Sequence, residues 1–147
     1  DGLQSSAEQV AQLAIQDANG GDNQRIDLIL ADGLSEKPVE MPVGLAVAAL
    51  RNLLDNALRH TPPDTRVELS VSSAGDNVVF RVRDHGAPIS SEDLQHLTQR
   101  FWRNGNSPGC GLGLAIVQAI VQRCSCSLKF DSQADGMRVD LGMPLRR

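Results

Sequence analysis

The chain has 147 residues, of which 41% are hydrophobic, and this length suits a single domain over residues 1–147 with a core of its own. Its net charge of −4, with 14 basic and 18 acidic residues and no basic stripe, argues against a nucleic-acid binder. No apolar run approaches the roughly 20 residues that a membrane-spanning helix needs. The three cysteines have no framework spacing and indicate free thiols in a reducing compartment.

The first part of the chain predicts two helices and a strand. Apolar residues recur with a helical period over residues 3–19, and Asn19-Gly20-Gly21 would end that helix. Alternation over residues 25–31 predicts a strand. Residues 43–60 predict the main helix, which the prolines after it terminate. Its predicted core stripe consists of Val47, Leu50, Leu54, Ala57 and Leu58.

The rest of the chain predicts two hairpins, one over residues 67–82 and one over residues 128–143. Between them we expect a short helix over residues 90–97, a polar, mobile, glycine-rich loop over residues 102–111 and a long helix over residues 112–123. This order predicts an α+β fold. It would be a two-layer α/β sandwich, with a mixed five-stranded sheet and about three helices on one face.

Two asparagines in the main helix are the first candidate functional residues. Asn52 and Asn56 are four residues apart, so their side chains lie on one helix face. Asparagine is a poor helix former, and two of them in the middle of a helix need a reason. Amide oxygens on a rigid helix can ligate a hard cation, so Asn56 is the candidate Mg²⁺ ligand and Asn52 a contact for phosphate or metal-bound water.

Two glycine-containing segments complete a candidate nucleotide site. Asp84 follows a strand, and its carboxylate could accept a hydrogen bond from an exocyclic amine, while Gly86 would let the backbone approach the base. The segment Gly109–Leu114 opens a helix, where backbone N–H groups and partial positive charge favour phosphate. Together with the asparagines, these segments predict a site for Mg²⁺-ATP.

These segments, in this order, resemble the catalytic ATP-binding domain of bacterial sensor histidine kinases, in the Bergerat-type ATPase superfamily. The resemblance extends from Gly44 to Pro144. Four boxes carry it: the asparagine box Asn52–Arg59, the first glycine box Asp84–Gly86, the phenylalanine box Arg100–Arg103 and the second glycine box Gly109–Leu114. The first glycine box departs from the family pattern, since Pro88 replaces its last glycine.

The resemblance implies ATP and Mg²⁺ as cofactors, with Asn56 as the metal ligand. The implied nucleotide-binding residues are Asn52, Asn56, Arg59, His60, Asp84, Gly86, Phe101, Arg103, Gly109, Gly111, Leu112, Gly113 and Leu114. Some roles have alternatives. His60 could cap the helix instead, and Phe101 could pack in the core. Arg100 competes with Arg103 for the γ-phosphate.

Asn52 also separates a kinase from a hydrolase. In the related gyrase, mismatch-repair and chaperone branch a glutamate at this position activates water, whereas an amide cannot act as a general base. The resemblance implies that the phosphoryl acceptor is a histidine followed by an acidic residue. His60, His85 and His96 are followed by Thr61, Gly86 and Leu97. We therefore expect the acceptor on a separate domain, and no autophosphorylation of this chain alone.

The chain starts at Asp1 without a methionine, so we expect a cytoplasmic domain from a longer protein. The resemblance implies an inner-membrane parent that dimerises through its phosphoacceptor domain and passes the phosphoryl group to a response regulator. The fragment itself should be a monomer. Two alternatives remain open: a free-standing anti-sigma-factor serine kinase of the same superfamily, and a degenerate nucleotide-binding interaction module, for which Pro88 is the support.

Overall fold

The computed structural model describes residues 5–18, 24–59, 61–85, 108–133 and 136–146. In this part of the chain three helices pack on one face of a five-stranded sheet, which confirms the predicted two-layer sandwich. The helices are α1 (Ala7–Asp17), α2 (Val43–Arg59) and α3 (Pro108–Arg123). The strands are β1 (Ile26–Leu30), β2 (Val67–Ala74), β3 (Asn77–Arg83), β4 (Ser127–Gln133) and β5 (Gly136–Pro144).

The sheet has the order β1-β2-β3-β5-β4, so β3 is its central strand. Only β1 and β2 run parallel; the two predicted hairpins, β2–β3 and β4–β5, and the β3–β5 pair are antiparallel. Side chains alternate across the sheet, and Phe80 on β3 is fully buried beneath the helices. On the outer face Arg81 Nε lies 2.8 Å from Asp140 Oδ1. One apolar and one charged face explain the single layer of helices.

Helix α2 is the central helix, because it contacts α1, α3, β2 and β3. Most of its predicted core stripe is buried, and Val47 is half-buried at the edge of the core. The buried residues of α2 are Ala46, Ala49, Leu50, Leu53, Leu54, Ala57 and Leu58. Among the described helices none has the length and apolar character to cross a membrane.

The connections bring three element ends to one edge of the sheet, which we call the Asp84 edge. Glu68 pairs with Arg83, so β2 begins where β3 ends. Because β2 begins at Val67, only a few residues after the end of α2 at Arg59, the end of α2 lies at the Asp84 edge. Helix α3 leads into β4 at the other edge, where Ser127 pairs with Gly142, and so α3 begins at the Asp84 edge. We call the other edge the opposite edge.

Helix α1 begins later than the sequence predicts. Ser6 is its N-cap rather than part of the helix: Gln9 N–H donates to Ser6 Oγ at 3.3 Å, and Ser6 N–H donates to Gln9 Oε1 at 3.2 Å. This reciprocal pair satisfies amides that the helix leaves unpaired, and it makes Ala7 the first helical residue.

Helix α3, by contrast, begins earlier than predicted, at Pro108 rather than at residue 112. The loop prediction was therefore wrong for residues 108–111. A proline in the first helical turn loses no hydrogen bond, because the first amides of a helix have no intrahelical partner. The predicted helix over residues 90–97 and the loop over residues 102–107 lie outside the described residues.

Candidate functional site

The Asp84 edge brings together the described parts of all three candidate segments. Asn56 and Arg59 lie in the last turn of α2, Asp84 directly follows β3, and Gly109 lies in the first turn of α3. Asn52 lies one turn before Asn56. Because α2 and α3 are in contact and run in opposite directions, the end of one helix lies beside the start of the other.

The amide of Asn52 has a defined orientation. Its Nδ2 donates to the carbonyl oxygen of Ala48 at 2.7 Å. A carbonyl oxygen can only accept hydrogen bonds, so the amide nitrogen must face Ala48 and Oδ1 must point the other way. An outward oxygen on a half-buried side chain can ligate a cation or accept a hydrogen bond from a metal-bound water, and the role of Asn52 stays a prediction.

Both asparagines lie on the flank of α2 that faces away from α1. Arg51 marks the α1 flank, since its guanidinium lies 3.2 Å from Asp17 Oδ2 of α1. Asn52 and Asn56 follow Arg51 by about 100° and about 140° around the helix, at 3.6 residues per turn. Asn56 is half-buried, and Arg59 is exposed. The positive charge of Arg59 also complements the negative end of the α2 dipole.

The carboxylate of Asp84 is held by the backbone of β5. Met137 N–H donates to Asp84 Oδ1 at 3.0 Å, and Asp84 N–H donates to the Met137 carbonyl oxygen at 3.0 Å. This pair extends the β3–β5 ladder by one step beyond Arg83. The carboxylate therefore has a fixed direction at the end of the central strand, as recognition of one amino group requires.

Gly136 makes this arrangement possible, and the sequence analysis missed its importance. Its φ is +147°, in the region that favours glycine. A Cβ built on Gly136 would lie 2.1 Å from the Asp84 carbonyl oxygen and 3.0 Å from Oδ1. The available signal was the glycine at the start of a predicted strand, which often marks close approach of another backbone. Met137 was also missed, because it contributes through its backbone.

The glycine series at the start of α3 is helical. Gly109 lies in the first turn, among the amides that lack intrahelical partners and point out of the helix end. Gly111 is the fourth helical residue, and from there through Leu112, Gly113 and Leu114 the amide hydrogens belong to the bonds between residues four apart that form a helix. The backbone thus favours Gly109 over Gly111 and Gly113 as an amide donor to phosphate.

Four predicted site residues lie outside the described residues: His60, Gly86, Phe101 and Arg103. The same holds for Pro88 and for Arg100, the competing candidate for the γ-phosphate. Their roles stay predictions.

The cysteines at the opposite edge do not form a second reactive centre. Cys124 and Cys126 are half-buried free thiols in the link between α3 and β4. Burial, and then the neighbouring Cys124, raise the pKa of the Cys126 thiol from 9.0 to about 11. In the described part of the chain we find no cluster of three or more His, Cys, Asp or Glu side chains that could hold a metal.

Comparison with known proteins places this architecture in a family. Residues 43–147 match the family described as histidine kinase-, DNA gyrase B-, and HSP90-like ATPase. The chain is 36% identical over 102 residues to the sensor protein kinase PmrB of Pseudomonas aeruginosa, which covers 66% of this chain and 21% of PmrB. The chain therefore spans about a fifth of that relative.

Solved structures show the same fold over nearly the whole chain. The mycobacterial sensor histidine kinase MprB superposes with a TM-score of 0.78 at 23% identity, covering 99% of both chains. The histidine kinase domain of the E. coli osmosensor EnvZ has a TM-score of 0.72 at 26% identity, covering 98% of this chain and 89% of the other. The chain thus belongs to the histidine kinase-, DNA gyrase B- and HSP90-like ATPase family, as a catalytic ATP-binding domain of the sensor histidine kinase type.

Proposed function

We propose that this domain binds Mg²⁺-ATP at the Asp84 edge and donates the γ-phosphoryl group to a histidine on a separate dimerisation and phosphoacceptor domain. The observation that carries the proposal is that groups suited to a metal, to an adenine and to phosphate lie together at the Asp84 edge. They are the asparagine side chains of α2, the oriented carboxylate of Asp84 after β3 and the unpaired backbone amides at the start of α3. Family membership supports ATP as the nucleotide.

Each end takes one part of the nucleotide in this proposal. The Asp84 carboxylate accepts the adenine amino group and thereby favours adenine over guanine. Asn56 would hold Mg²⁺ through its amide oxygen, and Asn52 Oδ1 would accept a hydrogen bond from a metal-bound water. The unpaired amide of Gly109 would donate to a phosphate oxygen. Bound Mg²⁺ would neutralise charge that develops on the phosphates during transfer.

Asn52 supports transfer to a protein rather than to water. Its amide nitrogen is bonded to the helix backbone, and neither amide atom can take a proton from water. ATP should therefore persist in the site until an external nucleophile reaches the γ-phosphoryl group. We propose the phosphoacceptor histidine of the same parent protein as that nucleophile, and no autophosphorylation by this chain alone.

The partners and location follow from the same proposal. The parent would be an inner-membrane homodimer whose phosphoacceptor domain passes the phosphoryl group to a response regulator, with this domain in the cytoplasm. The relatives described above are sensor kinases, and they do not favour the anti-sigma-factor kinase or the degenerate module.

Calorimetry tests the proposal directly, by titrating ATP with and without Mg²⁺. Binding should be tighter with Mg²⁺, and Asn56→Ala should remove most of this gain, weakening Mg²⁺-ATP about tenfold or more because a metal contact is lost. Asn77→Ala is the matched control, since Asn77 is exposed and begins β3 at the opposite edge. The absence of saturation at millimolar ATP in the wild type would refute the proposal.

A further inference from the structure

Arg25 stands directly before β1 at the Asp84 edge, and neither the motifs nor the proposed nucleotide contacts include it. Its carbonyl oxygen accepts a hydrogen bond from Val67 N–H at 2.8 Å, which joins the starts of β1 and β2. Its side chain is half-buried and reaches across the end of α2. The bond that joins the two strands uses only the backbone of Arg25, so the five N–H donors of its guanidinium can serve other groups.

Among the described residues, five hydrogen bonds join the guanidinium group to the end of α2 and the link that follows it. Nη1 donates to the Leu58 carbonyl oxygen at 3.1 Å. Nη2 donates to Thr61 Oγ1 and the Pro62 carbonyl oxygen, both at 2.8 Å, and to Thr65 Oγ1 at 3.2 Å. Nε donates to the Thr65 carbonyl oxygen at 2.9 Å.

Together with Thr61, these bonds cap the end of α2, which no glycine follows. The last four carbonyls of a helix lack intrahelical partners, and a following glycine commonly closes that end. Here the residues after α2 are His60-Thr61-Pro62-Pro63, without glycine. Thr61 Oγ1 donates to the Ala57 carbonyl oxygen at 2.8 Å, and Arg25 takes the next carbonyl. Its cation also lies at the negative end of the helix dipole.

We propose that Arg25 is a positioning residue of the nucleotide site. It holds the last turn of α2, and through that turn it fixes the amide of Asn56 and the charge of Arg59 relative to the rest of the edge. This inference rests on the proposed function for the identity of the ligand. Asp84 is held separately by Met137, so loss of Arg25 should affect the metal and phosphate half of the site and spare the adenine half.

Arg25→Gln tests this assignment against Arg66→Gln. Arg66 is the matched control, because it precedes β2 at the same edge and pairs with Asp27 on the surface, away from α2. ATP affinity is measured with and without Mg²⁺, well below the melting temperature of each variant. In Arg25→Gln the Mg²⁺-dependent gain should fall about tenfold, as for other outer-shell partners of metal sites. Binding without Mg²⁺ should change less than about threefold, since the contacts to the base persist.

Two further measurements complete the test. Arg25→Lys, which keeps the charge but loses the planar fork, should recover part of the Mg²⁺-dependent gain, and it replaces the glutamine variant if that one does not fold. Amide hydrogen exchange over residues 56–61 should be faster in Arg25→Gln than in Arg66→Gln, at equal global stability.

The outcomes separate the two proposals. Equal Mg²⁺-dependent gains in folded Arg25→Gln and Arg66→Gln would overturn the role of Arg25 and leave the proposed function intact. A wild-type protein that binds no ATP would overturn the proposed function, and the positioning role with it. Amide hydrogen exchange would still show whether Arg25 stabilises the last turn of α2.

Discussion

The two edges of the sheet differ in the contacts that hold them. At the opposite edge three backbone hydrogen bonds hold the final described segment: Glu40 N–H to the Pro144 carbonyl at 2.7 Å, Leu145 N–H to the Asp76 carbonyl at 2.8 Å, and Arg146 N–H to the Pro38 carbonyl at 2.8 Å. At the Asp84 edge side chains take part, through the Asp84 carboxylate on Met137 and the Arg25 guanidinium on α2.

This difference separates scaffold from site. Any residue except proline can provide a backbone donor, so these three bonds at the opposite edge depend little on side-chain identity. The Asp84 edge depends on particular side chains and on one glycine, because the groups that would meet a ligand need fixed directions. Substitutions at the two edges should therefore differ in effect even when the chemical change is the same.

Gly136→Ala against Gly75→Ala should give the largest contrast. A methyl group at Gly136 meets the Asp84 backbone and keeps an unfavourable φ, so we expect a loss of about 3 kcal/mol or more. Gly75, at the opposite edge, has φ +62° and open space around a Cβ, and should lose about 1 kcal/mol. Urea unfolding measures both. Equal losses would contradict the role of the close approach at Gly136.

Asp84→Asn should act on binding more than on stability. If the asparagine oxygen still accepts the hydrogen bond from Met137 N–H, the NH₂ group takes the place of the other carboxylate oxygen. An NH₂ group is a donor, whereas the adenine amino group needs an acceptor. Loss of a charged hydrogen bond worth about 2 kcal/mol corresponds to about 30-fold weaker ATP binding. Competition binding with ATP and GTP should also show reduced preference for ATP.

Asp32→Asn is the control for Asp84→Asn. Asp32 is exposed and follows β1 at the opposite edge, so this substitution should leave ATP affinity within about twofold, as expected of an exposed residue remote from the ligand. An unchanged preference for ATP over GTP in Asp84→Asn would contradict the proposed role of Asp84 in adenine recognition.

The smallest of the predicted effects concerns the Cys126 thiol, whose reactivity should depend on pH. With a pKa of about 11 the thiol stays protonated near neutrality, so alkylation should be slow at pH 7–8 and should accelerate up to about pH 11. The raised pKa also predicts lower stability as the pH rises from 9 to 11, because the unfolded chain loses that proton first. Peptide-resolved mass spectrometry measures the rate at Cys126, which ATP should leave unchanged.

Strong local patterns predicted most of the elements. Helical periodicity over residues 43–60 predicted α2 to within one residue of its observed end at Arg59, and alternation predicted the first hairpin. The errors fell at helix starts, Ser6 and Pro108, where capping groups rather than periodicity set the boundary. For the site, spacing placed Asn52 and Asn56 on one helix face, since four residues return to the same side.

The contacts that hold the site in place were not predictable in this way. Arg25 bonds to groups 33 to 40 residues away, and Asp84 to an amide 53 residues away. No periodicity in a single segment encodes such pairs, because they depend on the order and register of strands.

The sequence by itself therefore determined the α+β class, the polar groups suited to Mg²⁺-ATP and the absence of a general base at Asn52, since these depend on residue type and local spacing. The tertiary structure alone decided that α2 and β3 end, and α3 begins, at one edge. It also decided that Gly136 must be a glycine and that Arg25 closes α2. The physical reason is that close approach and hydrogen-bond direction are properties of packed elements, and they arise only when distant segments meet.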